Sequence, residues 1–180
     1  MIENEIEKKI LLTKIEYERL LHNFADNLVK DTMQINHYYD TLDYTLLNNN
    51  DMLRIRQIDD NLELQFKYDK RTQNNVRIAK ELRKKIGHLP KAISINGLHT
   101  NYIGYLLTER KSMEFDFYTA FLDKNYYLGK VDYEIEIEAN SISDMPKELF
   151  EIKFGVNCSG KYTRFTDELL KFGDFYEIST

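Results

Sequence analysis

The chain has 180 residues, of which 42% are hydrophobic and 31% are charged, and its formal net charge is −5. These values are typical of one soluble globular domain. The negative total argues against a general nucleic-acid-binding surface, although local charge can still attract a small polyanion. No apolar run approaches the roughly 18 residues of a membrane-spanning helix, so no membrane association is expected.

The first helical pattern begins at Thr13, where Thr13–Glu16 matches a capping box. Apolar residues follow at helical spacing as far as Leu28, which predicts a helix over this stretch. Further helices are expected over 79–87, 96–106, 145–154 and 166–172. Gly155 would end the third of these as a C-terminal cap.

The other elements are predicted to be strands. The turn-forming run Asn48–Asp51 precedes the first of them, and Asp59–Asn61 joins the first two into a hairpin. The strands are expected over 52–58, 62–68, 107–118, 120–123 and 131–139. Many strands with few helices indicate an antiparallel α+β domain, either a closed barrel or a sandwich.

Charged residues recur at every second position of several strands, and residues two apart share one face of a strand. An ordinary solvent-exposed sheet face could explain any single case. Here, however, one strand presents only acids and another only arginines, which suits a ligand that combines divalent metal with polyphosphate. The charged faces are Glu3, Glu5, Glu7 and Lys9; Arg54 and Arg56; Glu63, Gln65 and Lys67; Thr108, Arg110, Ser112, Glu114 and Asp116; and Asp132, Glu134, Glu136 and Glu138.

The N-terminal run Glu5-Ile6-Glu7-Lys8-Lys9 matches a Glu-x-Glu-x-Lys signature. With the blocks that follow it in order, the chain resembles the CYTH domain family, also called the triphosphate tunnel metalloenzymes. It looks most like the small single-domain bacterial subgroup that is common in Gram-positive species. The further blocks are Tyr38–Thr41, Leu53–Arg56, Leu64–Lys67, Glu109–Arg110, Leu122–Lys124, Leu128–Gly129, Asp132–Glu138 and Gly160–Phe165.

The resemblance implies one domain over 1–180, folded as a closed antiparallel β-tunnel of about eight strands with flanking helices. It implies binding of a triphosphate with Mg²⁺ or Mn²⁺. By position, the expected metal ligands are Glu5, Glu7, Asp123, Glu134, Glu136 and Glu138, and the choice among the last three stays open. The expected phosphate-binding residues are Lys9, Arg54, Arg56, Lys67, Arg110 and Lys161, with Arg164 as a further candidate.

Glu5, Glu7 and Lys9 are expected to be catalytic. Arg77 stands where the subgroup often carries an acid and receives no role. The expected reaction is metal-assisted hydrolysis of a phosphoanhydride bond. Inorganic triphosphate ranks first as the substrate because it needs only a charged tunnel. Thiamine triphosphate ranks second, since Tyr38, Tyr39 and Phe117 could stack on its cation.

Two alternatives remain open. The first is an adenylate cyclase, for which no base-recognition pocket can be identified in the sequence. The second is a non-catalytic module that senses a polyphosphate, a nucleotide or the 5′-triphosphate end of an RNA. Because Cys158 is the single cysteine and no secretory signal is apparent, we expect a cytoplasmic protein, monomeric or homodimeric.

Overall fold

Residues that alternate between polar and apolar side chains form ten β-strands in the computed structural model, which describes residues 2–73, 76–146, 156–157 and 159–173. The strands are β1 (Ile2–Leu12), β2 (Leu28–Asp40), β3 (Met52–Ile58), β4 (Asn61–Gln73), β5 (Val76–Ile86), β6 (Ala92–Ile95), β7 (Leu98–Glu114), β8 (Tyr118–Tyr127), β9 (Lys130–Ala139) and β10 (Val156–Asn157).

Eight of these strands close into an antiparallel barrel. Their order is β1-β5-β4-β3-β2-β7-β8-β9, and β9 pairs again with β1. Of the two remaining strands, β6 pairs with β7 and β10 pairs with β1. The closed barrel is therefore confirmed, and the sandwich is wrong.

The apolar faces of the barrel strands point outward and are covered over part of the surface, whereas Met33 of β2 and Tyr105 of β7 are exposed. On β9, Ile135 and Ile137 are buried in a cluster with Tyr17 and Leu20 of helix α1 (Lys14–Asn23). A second outer cluster surrounds Leu53 of β3. Burial of these side chains is the main favourable contribution to folding. No helix in the described part of the chain is both long and apolar enough to cross a membrane.

Helix α1 begins as its sequence predicts. The Thr13 hydroxyl accepts a hydrogen bond from the Glu16 amide (3.2 Å), and the Thr13 amide donates to Glu16 Oε2 (2.6 Å), which completes the capping box. The helix ends at Asn23 rather than near Leu28, where β2 begins. The other α-helices among the described residues are α2 (Thr45–Asn48) and α3 (Lys161–Gly173), and α3 includes the helix expected over 166–172.

Two predicted helices are wrong. Residues 79–87 lie mostly in β5, and residues 96–106 lie mostly in β7. The first stretch is rich in Lys, Glu and Leu, which favour helices in isolation, but its backbone pairs with β1 on one side and with β4 on the other. The closed sheet therefore overrides local propensity. The helix predicted over 145–154, its cap Gly155 and Cys158 lie largely outside the described residues.

Helix α3 closes one end of the barrel. Its Phe165 packs on Tyr38, with ring centroids 5.2 Å apart, and the Tyr162 hydroxyl donates a hydrogen bond to the buried Asp40. Phe165 fits because β7 has a bulge against β2, with Gly104 opposite Tyr38. A Cβ at Gly104, whose φ is +142°, would lie 2.7 Å from the Phe165 ring.

We expect Gly104→Ala to lower the free energy of unfolding by about 2–4 kcal/mol, because it combines backbone strain with a steric clash. Chemical denaturation of the variant and the wild type measures this difference. Gly129→Ala is the matched control, since Gly129 has φ +78° but open space around its ideal Cβ. Equal losses in the two variants would show that contact with the Phe165 ring adds nothing to the cost of the substitution at Gly104.

Candidate functional site

The charged faces of the strands point into the barrel lumen, and the twelve charged side chains expected to bind metal or phosphate, with Arg164 left aside, meet there. They come from six strands and from α3, which accounts for their wide separation along the chain. The residues are Glu5, Glu7 and Lys9 on β1; Arg54 and Arg56 on β3; Lys67 on β4; Arg110 on β7; Asp123 on β8; Glu134, Glu136 and Glu138 on β9; and Lys161 on α3.

One cluster of carboxylates lies where β1 pairs with β9. Glu5, Glu7, Glu136 and Glu138 each offer one oxygen, and these oxygens lie within 4.8 Å of one another. Lys9 Nζ lies 2.5 Å from Glu7 Oε2 and 2.6 Å from Glu136 Oε1. This first acidic cluster could hold a divalent cation, because such ions prefer several carboxylate oxygens.

The members of the first acidic cluster differ in their proton affinity. Burial alone would raise the pKa of Glu5, but Lys67 and Lys9 outweigh it and lower this pKa to about 2. Burial, together with Glu136 and Glu5, raises the pKa of Glu138 to about 7. Like charges in a buried site therefore force part of the cluster toward the protonated form. A bound cation would favour the ionised form of every member.

A second acidic cluster consists of Asp123, Glu134 and Glu136, again with one oxygen each within 4.8 Å. Arg110 binds both oxygens of Asp123, at 2.8 and 2.7 Å, and donates to Glu136 at 2.8 Å. Lys161 contacts all three acids, with 2.7 Å to Asp123 and 3.2 Å to Glu136. Burial raises the pKa of Asp123, but Arg110 and Lys161 hold it below its usual value.

Arg54 and Arg56 form a cationic wall opposite these acids. Their strand β3 is four strands from β9 in either direction around the barrel, so the two strands face each other across the lumen. Arg54 donates to Gln65 Oε1 at 2.7 Å and Arg56 to Asn36 Oδ1 at 3.3 Å, and neither makes an ion pair within the described residues. Burial and the like charges of Arg54 and Arg110 lower the pKa of Arg56 to about 9. The wall is therefore suited to an anion.

The structure places Glu81 in the lumen, a residue to which the sequence assigned no role. Its Oε2 accepts from Arg83 Nε at 2.6 Å, whereas Oε1 is buried without a hydrogen-bond partner among the described residues. The nearest ammonium in the structure, Lys67 Nζ, is 3.7 Å from Oε1. An unbonded buried carboxylate oxygen is costly, and it fits a lumen that accepts a cation. Alternation within 76–86 could have revealed Glu81, but that stretch was expected to be helical.

The lumen opens into a cavity toward each end of the barrel. The first cavity, of about 400 Å³, lies toward α3 and the end of β4, and we call its opening the basic mouth. The second, of about 370 Å³, is lined by Glu3, Glu81, Asp116 and Glu138 among others, and we call its opening the acidic mouth. Glu5 lines both cavities, so the first acidic cluster lies between the two openings.

The aromatic residues suggested for thiamine do not come together. Tyr38 lines the first cavity, Phe117 lines the second, and Tyr39 is buried in an outer cluster with its hydroxyl bonded to Pro90 O at 2.7 Å. Arg164 donates to Asp132 at 2.8 Å and to Glu134 at 2.7 Å. Arg77 lies opposite Glu7 in the β1–β5 pairing, on the lumen face.

Comparison with known proteins gives consistent matches. The sequence profile of the CYTH domain matches residues 3–165. A Bacillus subtilis protein, YjbK, provisionally named a triphosphatase, is 32% identical over 148 residues, which cover 76% of this chain and 78% of that protein. A crystal structure from Bacillus halodurans, described as a provisional adenylate cyclase, has 26% identity and a TM-score of 0.76, covering 91% of this chain and 98% of its own.

A structure of HpAC1 from Hippeastrum, a provisional adenylyl cyclase described as having a dominant triphosphatase activity, also has a TM-score of 0.76. It covers 91% of this chain and 95% of its own, and at 20% identity it supports the fold alone.

We expect Lys161→Met to lower the free energy of unfolding of the metal-free protein by about 3 kcal/mol, because three buried acids lose a shared partner. Mg²⁺ or Mn²⁺ should then raise the melting temperature more in this variant than in the wild type. Lys171→Met, which removes an exposed lysine from the same helix, should change stability by no more than about 0.5 kcal/mol. Similar losses in both variants would contradict the assignment of Lys161 to the acidic clusters.

Proposed function

The chain belongs to the CYTH domain family, and from that premise we propose that it is a metal-dependent triphosphatase whose first substrate is inorganic triphosphate. The observation that carries the proposal is the division of the lumen into two facing walls. Carboxylates of β1 and β9 gather on one side, and the cationic wall of Arg54 and Arg56 stands on the other. A metal–triphosphate complex contains a cation, which the carboxylates would bind, and phosphate groups, which the arginines would bind.

Two groups of residues would share the binding. The first acidic cluster, with Asp123 and Glu134 of the second, would hold Mg²⁺ or Mn²⁺, which both suit sites made of carboxylate oxygens. When bound, such ions neutralise phosphate oxygens and activate water. Arg54, Arg56 and Lys67 would neutralise the phosphates and align the scissile bond.

Lys9 would exchange its carboxylate partners for a phosphate oxygen when metal and substrate bind. In the structure it bridges Glu7 and Glu136. With a cation held by those acids, the Lys9 ammonium group would be available to a phosphate oxygen. Lys161 and Arg110 likewise form ion pairs with acids of the second acidic cluster. The lumen thus holds its phosphate-binding cations in place with the carboxylates that would bind metal.

Inorganic triphosphate is favoured because charge alone can recognise it. Thiamine triphosphate ranks second, since the suggested aromatic residues are dispersed around the barrel. The name of YjbK supports a triphosphatase. The cyclase names of other relatives make ATP cyclisation the competing outcome.

The decisive experiment measures phosphate release from inorganic triphosphate, thiamine triphosphate and ATP, each with Mg²⁺, Mn²⁺ or a chelator. We expect metal-dependent release, fastest from inorganic triphosphate. Cyclic AMP and pyrophosphate formed from ATP without phosphate release would identify a cyclase. Tight triphosphate binding by calorimetry without turnover of any substrate would identify a sensor module.

Two substitutions should distinguish the role of the acidic wall in metal binding from the role of the cationic wall in triphosphate binding. Glu5→Gln should raise the metal concentration for half-maximal rate about tenfold, whereas Arg56→Gln should raise KM for triphosphate about tenfold with little change in metal dependence. Steady-state kinetics at varied metal and varied triphosphate measure both effects. Glu18→Gln, on the exposed face of α1, is the control that should alter neither. Identical profiles for Glu5→Gln and Arg56→Gln would refute the division into two walls.

A further inference from the structure

Neutral amide side chains hold both arginines of the cationic wall. Arg54 Nε donates to Gln65 Oε1 at 2.7 Å, and Gln65 Nε2 donates in turn to Glu63 Oε1 at 2.5 Å. Arg56 Nε donates to Asn36 Oδ1 at 3.3 Å. An arginine held at Nε has a fixed guanidinium plane and can still bind a phosphate through its two Nη groups. An amide partner also leaves the positive charge available, whereas a carboxylate in its place would neutralise it.

A chain of hydrogen bonds continues from Asn36 around the inside of the barrel. Asn36 Nδ2 donates to Thr108 Oγ1 at 3.5 Å, and Thr108 Oγ1 donates to Asn125 Oδ1 at 2.8 Å. Asn125 Nδ2 then donates to Asp132 Oδ1 at 2.8 Å. With Arg56, these residues come from five neighbouring strands, in the order β3, β2, β7, β8 and β9, and we call the five residues the polar belt. Its three neutral members are no more than 1% exposed.

Helix α3 anchors the far end of the polar belt. Arg164 Nε donates to Asp132 Oδ2 at 2.8 Å, and the Tyr127 hydroxyl donates to the same oxygen at 2.7 Å. Burial raises the pKa of Asp132, but Arg164 and these hydrogen bonds keep this pKa below its usual value. Asp132 is therefore an ionised acceptor that already has a cationic partner.

The two ends of the polar belt determine the direction of every hydrogen bond in it. Arg56 can only donate, so Asn36 turns its oxygen toward Arg56 and its NH2 group toward Thr108. Asp132 can only accept, so Asn125 turns its NH2 group toward Asp132 and its oxygen toward Thr108. Thr108 therefore faces a donor on one side and an acceptor on the other. A hydroxyl group pairs with both, whereas the valine side chain, which has the same shape, pairs with neither.

We propose that Asn36, Thr108 and Asn125 are positioning residues for substrate binding, which act on the triphosphate through Arg56. This inference rests on the proposed triphosphatase function, in which Arg56 binds a phosphate group. The polar belt holds the guanidinium in one orientation, so less side-chain freedom is lost when the phosphate binds. A purely structural role predicts a loss of stability alone. A positioning role predicts weaker triphosphate binding in protein that is fully folded.

The test interrupts the polar belt at Thr108, which lies two hydrogen bonds away from Arg56. Thr108→Val leaves Asn36 Nδ2 without its acceptor, so we expect KM for inorganic triphosphate with Mg²⁺ to rise about fivefold while kcat changes less than about twofold. Thr108→Ser retains the hydroxyl group and should keep KM within about twofold of the wild-type value. Steady-state kinetics at saturating Mg²⁺ measure both constants.

Thr100→Val is the matched control, because it removes a hydroxyl group from the same strand. Thr100 is fully buried, and its hydroxyl donates to Ile93 O at 2.8 Å within the β6–β7 hairpin. This variant should lower the melting temperature about as much as Thr108→Val does, and it should leave KM unchanged. An equal rise in KM in the two variants would overturn the inference, as would a wild-type KM in Thr108→Val.

A double-mutant cycle tests whether the effect passes through Arg56. Once Arg56→Gln has removed the guanidinium, interruption of the polar belt should cost little further affinity. The KM values of Arg56→Gln and Arg56→Gln/Thr108→Val should therefore agree within about twofold. Effects that multiply in the double variant would show that Thr108 acts independently of Arg56 and would overturn the inference.

The same variants separate this inference from the proposed function. A raised KM in Arg56→Gln with a wild-type KM in Thr108→Val refutes the positioning role alone. An unchanged KM in Arg56→Gln refutes phosphate binding by the cationic wall, and the positioning role with it. If triphosphate is bound without turnover, its calorimetric dissociation constants in the presence of Mg²⁺ give the same comparisons.

Discussion

The structure depends on compensation of the charges that the barrel encloses. Closure of the sheet turns the polar strand faces inward and the apolar faces outward, which explains why α1 packs on the outside of β9. Buried charges without partners would cost several kcal/mol each. Glu136 shows how this is avoided, since it contacts Lys9, Arg110 and Lys161 at once. Although burial opposes ionisation, Lys9 and Arg110 hold the pKa of Glu136 well below its usual value.

Incomplete compensation of the lumen charges favours the binding of a ligand. A lumen that paired every charge permanently would gain nothing from a ligand, because binding would only replace one good ion pair by another. Here the pairing is incomplete on both sides. Arg54 and Arg56 make no ion pair among the described residues, and Glu81 Oε1 has no hydrogen-bond partner there. Metal and phosphate together would satisfy both deficits, whereas either one alone would leave the opposite wall uncompensated.

Much of the site could be predicted from the sequence because the strands that carry it alternate cleanly. β3 and β9 expose one polar face each, so Arg54 and Glu136 were placed on lumen faces correctly. The prediction failed where long-range pairing decides the structure. Residues 79–87 favour a helix locally, and their assignment to β5 depends on partners far away in sequence. Glu81 was missed for that reason. Lys70 was missed as a lining residue of the first cavity because simple alternation places Asp69 on the lumen face, and a bulge in β4 exchanges them.

The barrel is also electrically asymmetric along its axis. The basic mouth is lined by Lys70 and Arg77, whereas Glu3 and Asp116 line the acidic mouth. A low-dielectric wall focuses such fields, so anions are attracted to one opening and cations to the other. The first acidic cluster lies between the two openings, where the electrostatic fields of the two mouths meet. An overall charge of −5 therefore says little about the ligand, because the position of each charge along the tunnel determines which ion it attracts.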